Sequence, residues 1–246
     1  SEEISEKEFI ENTKNLTQRL ILAQDLIGEK LTQEELEIQI LWMTSNVVPK
    51  CVASAVISVL LKLRENLEFY RKVKEEQAIL LAKFGHCISL EQLLNSRENM
   101  PILDNVIEEV LRLSPPLVAL CTQISKEIIH DYHGYKIPEG WQCFFCPAIA
   151  NRDQNIYESP EEFIPERWVE ENRCPMHLSF GTGARKCIGA EWARLLTRMA
   201  VCGLLRSCSW VVKEKQNFSL KQLPVLKPID GFMVTTFEYC ENSQNQ

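Results

Sequence analysis

The sequence predicts a mainly α protein with a minor antiparallel β-sheet. Three observations carry that expectation. Residues 33–66 hold one long helical pattern, apolar nearly all round at its centre, as a helix crossing a core requires. Further helical stretches follow it as far as Leu113. From Leu117 to about residue 150, short apolar runs alternate with H-G-Y and P-E-G turn signals, the pattern of short antiparallel strands.

Taken in order, residues 1–30 read as an amphipathic helical region ending near Gly28. In the long helix Pro49 removes one backbone donor and predicts a kink. A helix from Leu67 to Phe84 comes next. Ser89 is placed to cap a short helix in "SLEQLLN". "MPILDNVIEEVLRLSPP" is a helix stopped by Pro115 and Pro116. After the small sheet, "NRDQNIYESPEEFIPERW" reads as loop with short helical turns. Residues 189–207 form another helix, and Pro224, Pro228 and Gly231 mark a final hairpin. There are no internal repeats and no low-complexity segment.

With 246 residues, 45% of them hydrophobic, the chain is long enough for a substantial core. A net charge of −7 argues against nucleic acid as the main partner. No run of about 18 consecutive apolar residues occurs, so no segment is expected to span a bilayer. The first residues, "SEEISEKEFIENTK", are polar and acidic, unlike a signal peptide. Ten cysteines raise the question of a disulfide scaffold. Cys51, Cys121, Cys202 and Cys208 lie in apolar runs and read as reduced core thiols. Cys143 and Cys146 form a lone C-x-x-C in a strand-like run, and core packing explains that pair better than a zinc or redox site.

The stretch "SFGTGARKCIGAEWARLL", residues 179–196, carries the chemistry. Gly181, Gly183 and Gly189 clear side chains from both sides of Cys187, so its backbone can approach a large flat group. The helix that follows turns its first amides toward the cysteine, and Arg185 stands nearby. Both suit a thiolate. Three chemistries share this pattern: a buried thiol in a glycine-rich turn, a nucleophilic cysteine, and an axial thiolate ligand to heme iron. A nucleophile needs a base, and none of His86, His130, His133 and His177 is adjacent in sequence.

"FGTGARKCIG" matches F-x-x-G-x-R-x-C-x-G, the heme-binding signature of cytochrome P-450 enzymes, through Phe180, Gly183, Arg185, Cys187 and Gly189; Ala193 extends the match. "EEVLR" supplies the family's E-x-x-R as Glu109 and Arg112, and "FIPERW" adds Arg167, in the family's order. The chain resembles the C-terminal half of a cytochrome P-450, and "HGYKIPEGW", "CIGAEWARLL" and "PVLKPIDG" resemble the retinoic-acid-metabolising branch. On this resemblance residues 1–246 are the C-terminal heme-binding portion of such a domain. The long central helix is 33–66, the small sheet about 117–150, and the heme-ligand loop 179–189.

The resemblance implies heme b, with Cys187 as the metal ligand and Arg185 paired to a propionate. Separately, Glu109 and Arg112 stand i, i+3 on one helix face. With Arg167 from a distant loop they make a charge-assisted network suited to burial, a structural triad that locks the Cys187 loop to the helices. The family's membrane anchor, and a helix with propionate-binding residues, would precede this segment.

One departure concerns the long helix. Where the family places an acid–threonine pair that relays protons during dioxygen activation, this sequence has Lys50 and Cys51, with Thr44 a turn or two earlier. Cys51 and Thr44 are therefore the candidate catalytic positions. The implied function is a heme-thiolate monooxygenase, or a truncated form of one, hydroxylating a lipophilic small molecule such as a retinoid, sterol or fatty acid. Its electrons would come from an NADPH-dependent reductase. Met43, Val47, Val48, Leu117, Val118 and Phe232 are candidates to line the pocket, and Arg185, Lys186, Arg194 and Arg198 form a basic patch for an acidic electron donor. Alternatives are a heme-thiolate isomerase or dehydratase acting on lipid hydroperoxides, and a non-catalytic truncated homologue. The family implies the cytosolic face of the endoplasmic reticulum membrane, with attachment only through a segment outside this chain.

Overall fold

The structure is a computed structural model that describes residues 16–24, 28–85, 88–123, 128–129, 134–169, 177–222 and 225–239. The expected helix over residues 1–30 lies largely outside them. The chain divides into two compact units, 1–50 and 51–246.

In the first unit, α1 (Leu16–Leu22) is followed by α2 (Gln33–Trp42). Thr32 starts α2 with a capping box: its hydroxyl accepts from the Glu35 amide at 3.3 Å, and the Glu35 carboxylate accepts from the Thr32 amide at 2.9 Å. None of the residues of α2 is buried. The helical path then widens into a π turn over Met43–Val47 before tightening again as α3 (Val48–Glu65). The expected single helix is thus interrupted just ahead of Pro49. A proline ring excludes the carbonyl four residues back, and wider π geometry is one way to make that room. The helical run Gln33–Glu65 is nonetheless long and apolar enough to cross a membrane, with half of its most apolar window buried. By length and composition alone this is also the character of a core helix, and no run of 18 consecutive apolar residues occurs in it.

The second unit is built on α3, α4 (Leu67–Phe84), α7 (Pro101–Leu113) and α9 (Ala190–Ser207). Between α4 and α7 lie two short helices, α5 (Leu90–Leu94) and α6 (Ser96–Asn99). Ser89 caps α5 in a second capping box with Gln92. The core joins Val59 and Leu63 of α3, Val73 of α4, Met100, Val106 and Val110 around α7, and Val201 and Leu205 of α9, all at 0 or 1% exposure. Helix α7 lies deepest: ten of its thirteen residues are buried. Its N-terminus is capped from another helix, since Glu76 of α4 accepts from the amides of Ile102 at 2.7 Å and Leu103 at 3.1 Å.

Among the described residues the strands form four antiparallel pairs. β1 (Leu120–Gln123) pairs with β4 (Gln142–Phe145), and β2 (Ile128–Ile129) with β3 (Lys136–Ile137). A one-turn helix, α8 (Pro147–Ala150), follows β4. β5 (Cys208–Val212) continues directly from α9 and pairs with β8 (Val234–Tyr239), with a register shift at Val211/Val212. β6 (Leu220–Lys221) and β7 (Lys227–Pro228) make the small hairpin that Pro228 and Gly231 announced; Pro224 lies outside the described residues. The β5–β8 pair was not expected from sequence.

Candidate functional site

Two constellations meet along α7. The first centres on Glu109, which is completely buried. Arg112 grips it with two parallel bonds, Nε to Oε2 at 2.9 Å and Nη2 to Oε1 at 2.8 Å. Arg167, from a 3-10 turn over Pro165–Trp168, adds Nε to Oε1 at 3.3 Å. The Trp168 indole and the Ile164 amide donate as well, each at 3.0 Å. Arg112 spends its remaining protons on the carbonyls of Asn151, Pro160 and Glu162. A carboxylate so enclosed is tolerable in a core only because every lone pair meets a donor. Glu109, Arg112 and Arg167 thus stand together, and they stitch the 151–168 segment to α7.

The second constellation is the turn that leads into α9. Gly181 and Gly183 sit at φ 69° and 65°, a left-handed region costly for residues with a Cβ. The turn closes with the Cys187 amide donating to the Phe180 carbonyl at 2.8 Å. Cys187 is exposed and carries a free thiol, and Ile188 beside it is 93% exposed. A Cβ built on Gly189 would stand 3.9 Å from Cys187 Sγ, so glycine keeps that side of the sulfur open. Arg185 is also exposed, and α9 begins at Ala190, one residue past Gly189. A bare sulfur on a glycine turn just ahead of a helix N-terminus fits a residue that would hold heme iron. The observation that decides the fit is that the thiol faces outward from a turn whose backbone is held closed behind it.

Of the catalytic candidates, Cys51 is half-buried. Burial pushes its thiol up, and negative charge at Cys187 would push it the same way. Thr44 lies in the first unit, where its hydroxyl donates to the Ile40 carbonyl at 2.8 Å. Leu117, Val118 and Phe232 are half-buried; Phe232 borders a cavity of about 290 Å³ with Leu60, Tyr70 and Trp210. Met43 is half-buried and Val48 is exposed.

Several expectations need correction. Arg194 and Arg198 do not belong to an exposed basic patch: each is 7% exposed and paired with a carboxylate of α7. Only Arg185 and Lys186 remain exposed there. Cys121 is exposed rather than in the core, whereas Cys202 is buried and its thiol is pushed up to about 12 by burial. Cys208 is buried, while Cys143 and Cys146 are half-buried free thiols. His177 is no base for Cys187, since its Nε2 is 3.0 Å from Glu108 Oε2. His86, His130 and His133 lie outside the described residues.

Sequence reasoning passed over Glu108, Asp104 and Asn151. Asn151 is fully buried and joins two segments through three bonds: its amide donates to the Arg112 carbonyl at 3.1 Å and Ser179 Oγ at 2.9 Å, and its carbonyl accepts from the Leu178 amide at 2.8 Å. A signal for the acids was present. Asp104 and Glu108 are spaced i, i+4, and so are Arg194 and Arg198, on the same stripe of α9 as Ala190, Val201 and Leu205.

Comparisons with known proteins bear on the family and the fold. The cytochrome P450 family model matches residues 1–236. "Putative cytochrome P450 120" of Synechocystis sp. is 30% identical over 222 residues, covering 87% of this chain and 48% of that protein. "Sterol 14alpha-demethylase" of Mycolicibacterium vanbaalenii is 32% identical over 152 residues, 60% of this chain and 32% of that protein. Among solved structures, "Retinoic acid bound cyanobacterial CYP120A1" superposes with a TM-score of 0.75 at 26% identity, covering 97% of this chain and 52% of that one. The chain spans about half the length of the Synechocystis protein and of the retinoic acid-bound chain, so its helices and small sheets are part of a larger fold. With a glycine-turn cysteine, a buried Glu–Arg–Arg lock and a family match over residues 1–236, the chain belongs to the cytochrome P450 family, whose members are heme-dependent monooxygenases.

Proposed function

We propose that residues 1–246 form the C-terminal heme-binding portion of a heme-thiolate monooxygenase that hydroxylates a lipophilic small molecule, a retinoid, sterol or fatty acid. The single observation that carries this reading is the outward-facing Cys187 thiol on its closed glycine turn. Relatives named for retinoic acid and for sterol demethylation support the substrate class. Bound heme b would supply one-electron and dioxygen chemistry that side chains lack. Cys187 would be its thiolate ligand. Gly183 and Gly189 would leave room for the ring, Phe180 would pack beside the sulfur, and Arg185 would pair with a propionate. Arg185 and Lys186 would offer positive charge to an NADPH-dependent reductase. Attachment to the endoplasmic reticulum membrane through a segment outside this chain belongs to the same proposal.

A second reading rests on Cys51. On the resemblance a proton-relaying threonine is expected at Cys51, and the Thr44 hydroxyl donates its hydrogen bond to the Ile40 carbonyl. This favours a heme-thiolate isomerase or dehydratase of lipid hydroperoxides, which needs neither dioxygen nor a reductase. Heme reconstitution tests both. The reduced, carbon monoxide-bound chain is expected to show the red-shifted Soret band of thiolate ligation. Lack of heme uptake leaves only the non-catalytic truncated homologue. Given heme, turnover of a hydroperoxide without reductase selects the second reading, and strict dependence on reductase and dioxygen selects the first.

A further inference from the structure

Beyond the Glu109 lock, α7 carries a second buried carboxylate, Glu108, whose partners bracket the Cys187 turn. His177 stands immediately before that turn. Its Nδ1 accepts from the Ser179 amide at 3.3 Å, so Nε2 carries the proton and donates to Glu108 Oε2 at 3.0 Å. Arg194 lies one turn into α9, immediately after the Cys187 turn. It grips the same carboxylate with Nε to Oε1 at 2.6 Å and Nη2 to Oε2 at 3.0 Å. Both stems of the loop therefore end on one carboxyl group. All three side chains are at least nine-tenths buried.

The clasp also reaches the sulfur-bearing residue. The Arg194 guanidinium lies over the Phe180 ring, 4.5 Å from its centroid, and the Phe180 carbonyl holds the Cys187 amide. One helical turn further on, Arg198 pairs with Asp104, which also accepts from Ser96 at 2.7 Å. The pairs 104–198 and 108–194 form a two-rung ladder in which α7 and α9 run antiparallel. The ladder fixes the depth of α9, and so the height at which its N-terminus presents Cys187. Burial works to raise the Glu108 carboxyl pKa, but the bonds from His177 and Arg194 outweigh it and lower it to about 2.

We infer that Glu108 is a positioning residue for Cys187, clasping His177 and Arg194 so that the turn between them holds its sulfur in one place. This rests on the reading of Cys187 as the heme ligand. The test uses hydrogen exchange on the full chain without heme, comparing a peptide across Phe180–Cys187 with one across Ile164 and the Glu109 lock. In Glu108→Gln the Cys187 amide is expected to exchange about tenfold faster, with the Ile164 amide unchanged. His177→Gln keeps a donor for Glu108 and loses only the acceptor for Ser179, so it should give a smaller acceleration confined to the same peptide. Equal acceleration in both peptides, or none at Cys187, overturns the inference. If Glu108→Gln does not fold, His177→Gln decides alone. In heme-loaded protein both variants should also lose part of the thiolate-type Soret band. A Cys187→Ser chain that kept that band would sink the heme reading, while the exchange result would still judge the clasp.

Discussion

Helix α7 and the turn bearing Cys187 treat polarity in opposite ways. The helix buries three carboxylates, Asp104, Glu108 and Glu109, each met by at least one arginine. The turn leaves its cysteine, its arginine and Ile188 in the open. The difference teaches where each kind of group belongs. Charge that only holds segments together is hidden, where low dielectric strengthens every bond. A group meant for a ligand is left bare, and its geometry is enforced from behind. Phe180 packs the turn against the core, and its shape comes from the internal Phe180–Cys187 bond, from Glu108 of α7, and from Asn151, which ties α7 to Leu178 and Ser179.

Four substitutions press on that contrast. The largest effect is expected on the hidden side. Arg112→Met leaves Glu109 short of its bidentate partner and frees three carbonyls, so it should cost about 3–5 kcal/mol in urea unfolding, enough to threaten the fold. A conservative loss under 1 kcal/mol would mean the lock is dispensable.

Next comes Glu76. Burial raises its carboxyl from 4.5 to about 7 despite two amide donors, with the negative Asp104 adding to the rise. The folded chain therefore keeps a proton that the unfolded chain has already lost. Stability should fall as pH rises from about 4.5 to about 7, by up to about 3 kcal/mol, and stay level below that window. Glu76→Gln should flatten the profile, as read by thermal unfolding across pH. A wild-type profile without this slope would remove the cost assigned to the buried cap.

A smaller loss, about 1 kcal/mol, is expected when Ser89→Ala removes the capping box of α5. Circular dichroism melting measures it, and an unchanged midpoint would show that α5 is held by Leu93 packing alone. The smallest effect on stability belongs to the open side. Cys187→Ser should shift the unfolding free energy by less than about 0.5 kcal/mol, because the residue is exposed. The same variant should abolish thiolate-type heme absorbance. A large destabilisation instead would make Cys187 a structural thiol and erase the contrast.

Residue order alone marked out much of this. Period and proline placement gave the bounds of α4, α7 and α9 to within a residue or two, because each is long, amphipathic and punctuated. The spacing of Phe180, Gly183, Arg185, Cys187 and Gly189 named the turn, and the three-residue step from Glu109 to Arg112 named the first network. The β5–β8 pair escaped, since "CSWVV" runs on from α9 with no turn signal and finds its partner more than twenty residues away. Arg194 and Arg198 were misread as solvated, because a cation near a helix start looks exposed until an acid elsewhere is brought to it.

What the sequence by itself determined is the identity of the chemistry: a cysteine between glycines ahead of a helix, and local helical periods that need no distant partner. What only the tertiary structure decided is which charges are buried. Asp104 and Glu108 become core residues only when α9 lies antiparallel to α7 and sets Arg198 and Arg194 against them. Desolvating a charge is unfavourable until its counter-charge arrives, and that arrival depends on packing across some ninety residues of chain, which no local pattern encodes.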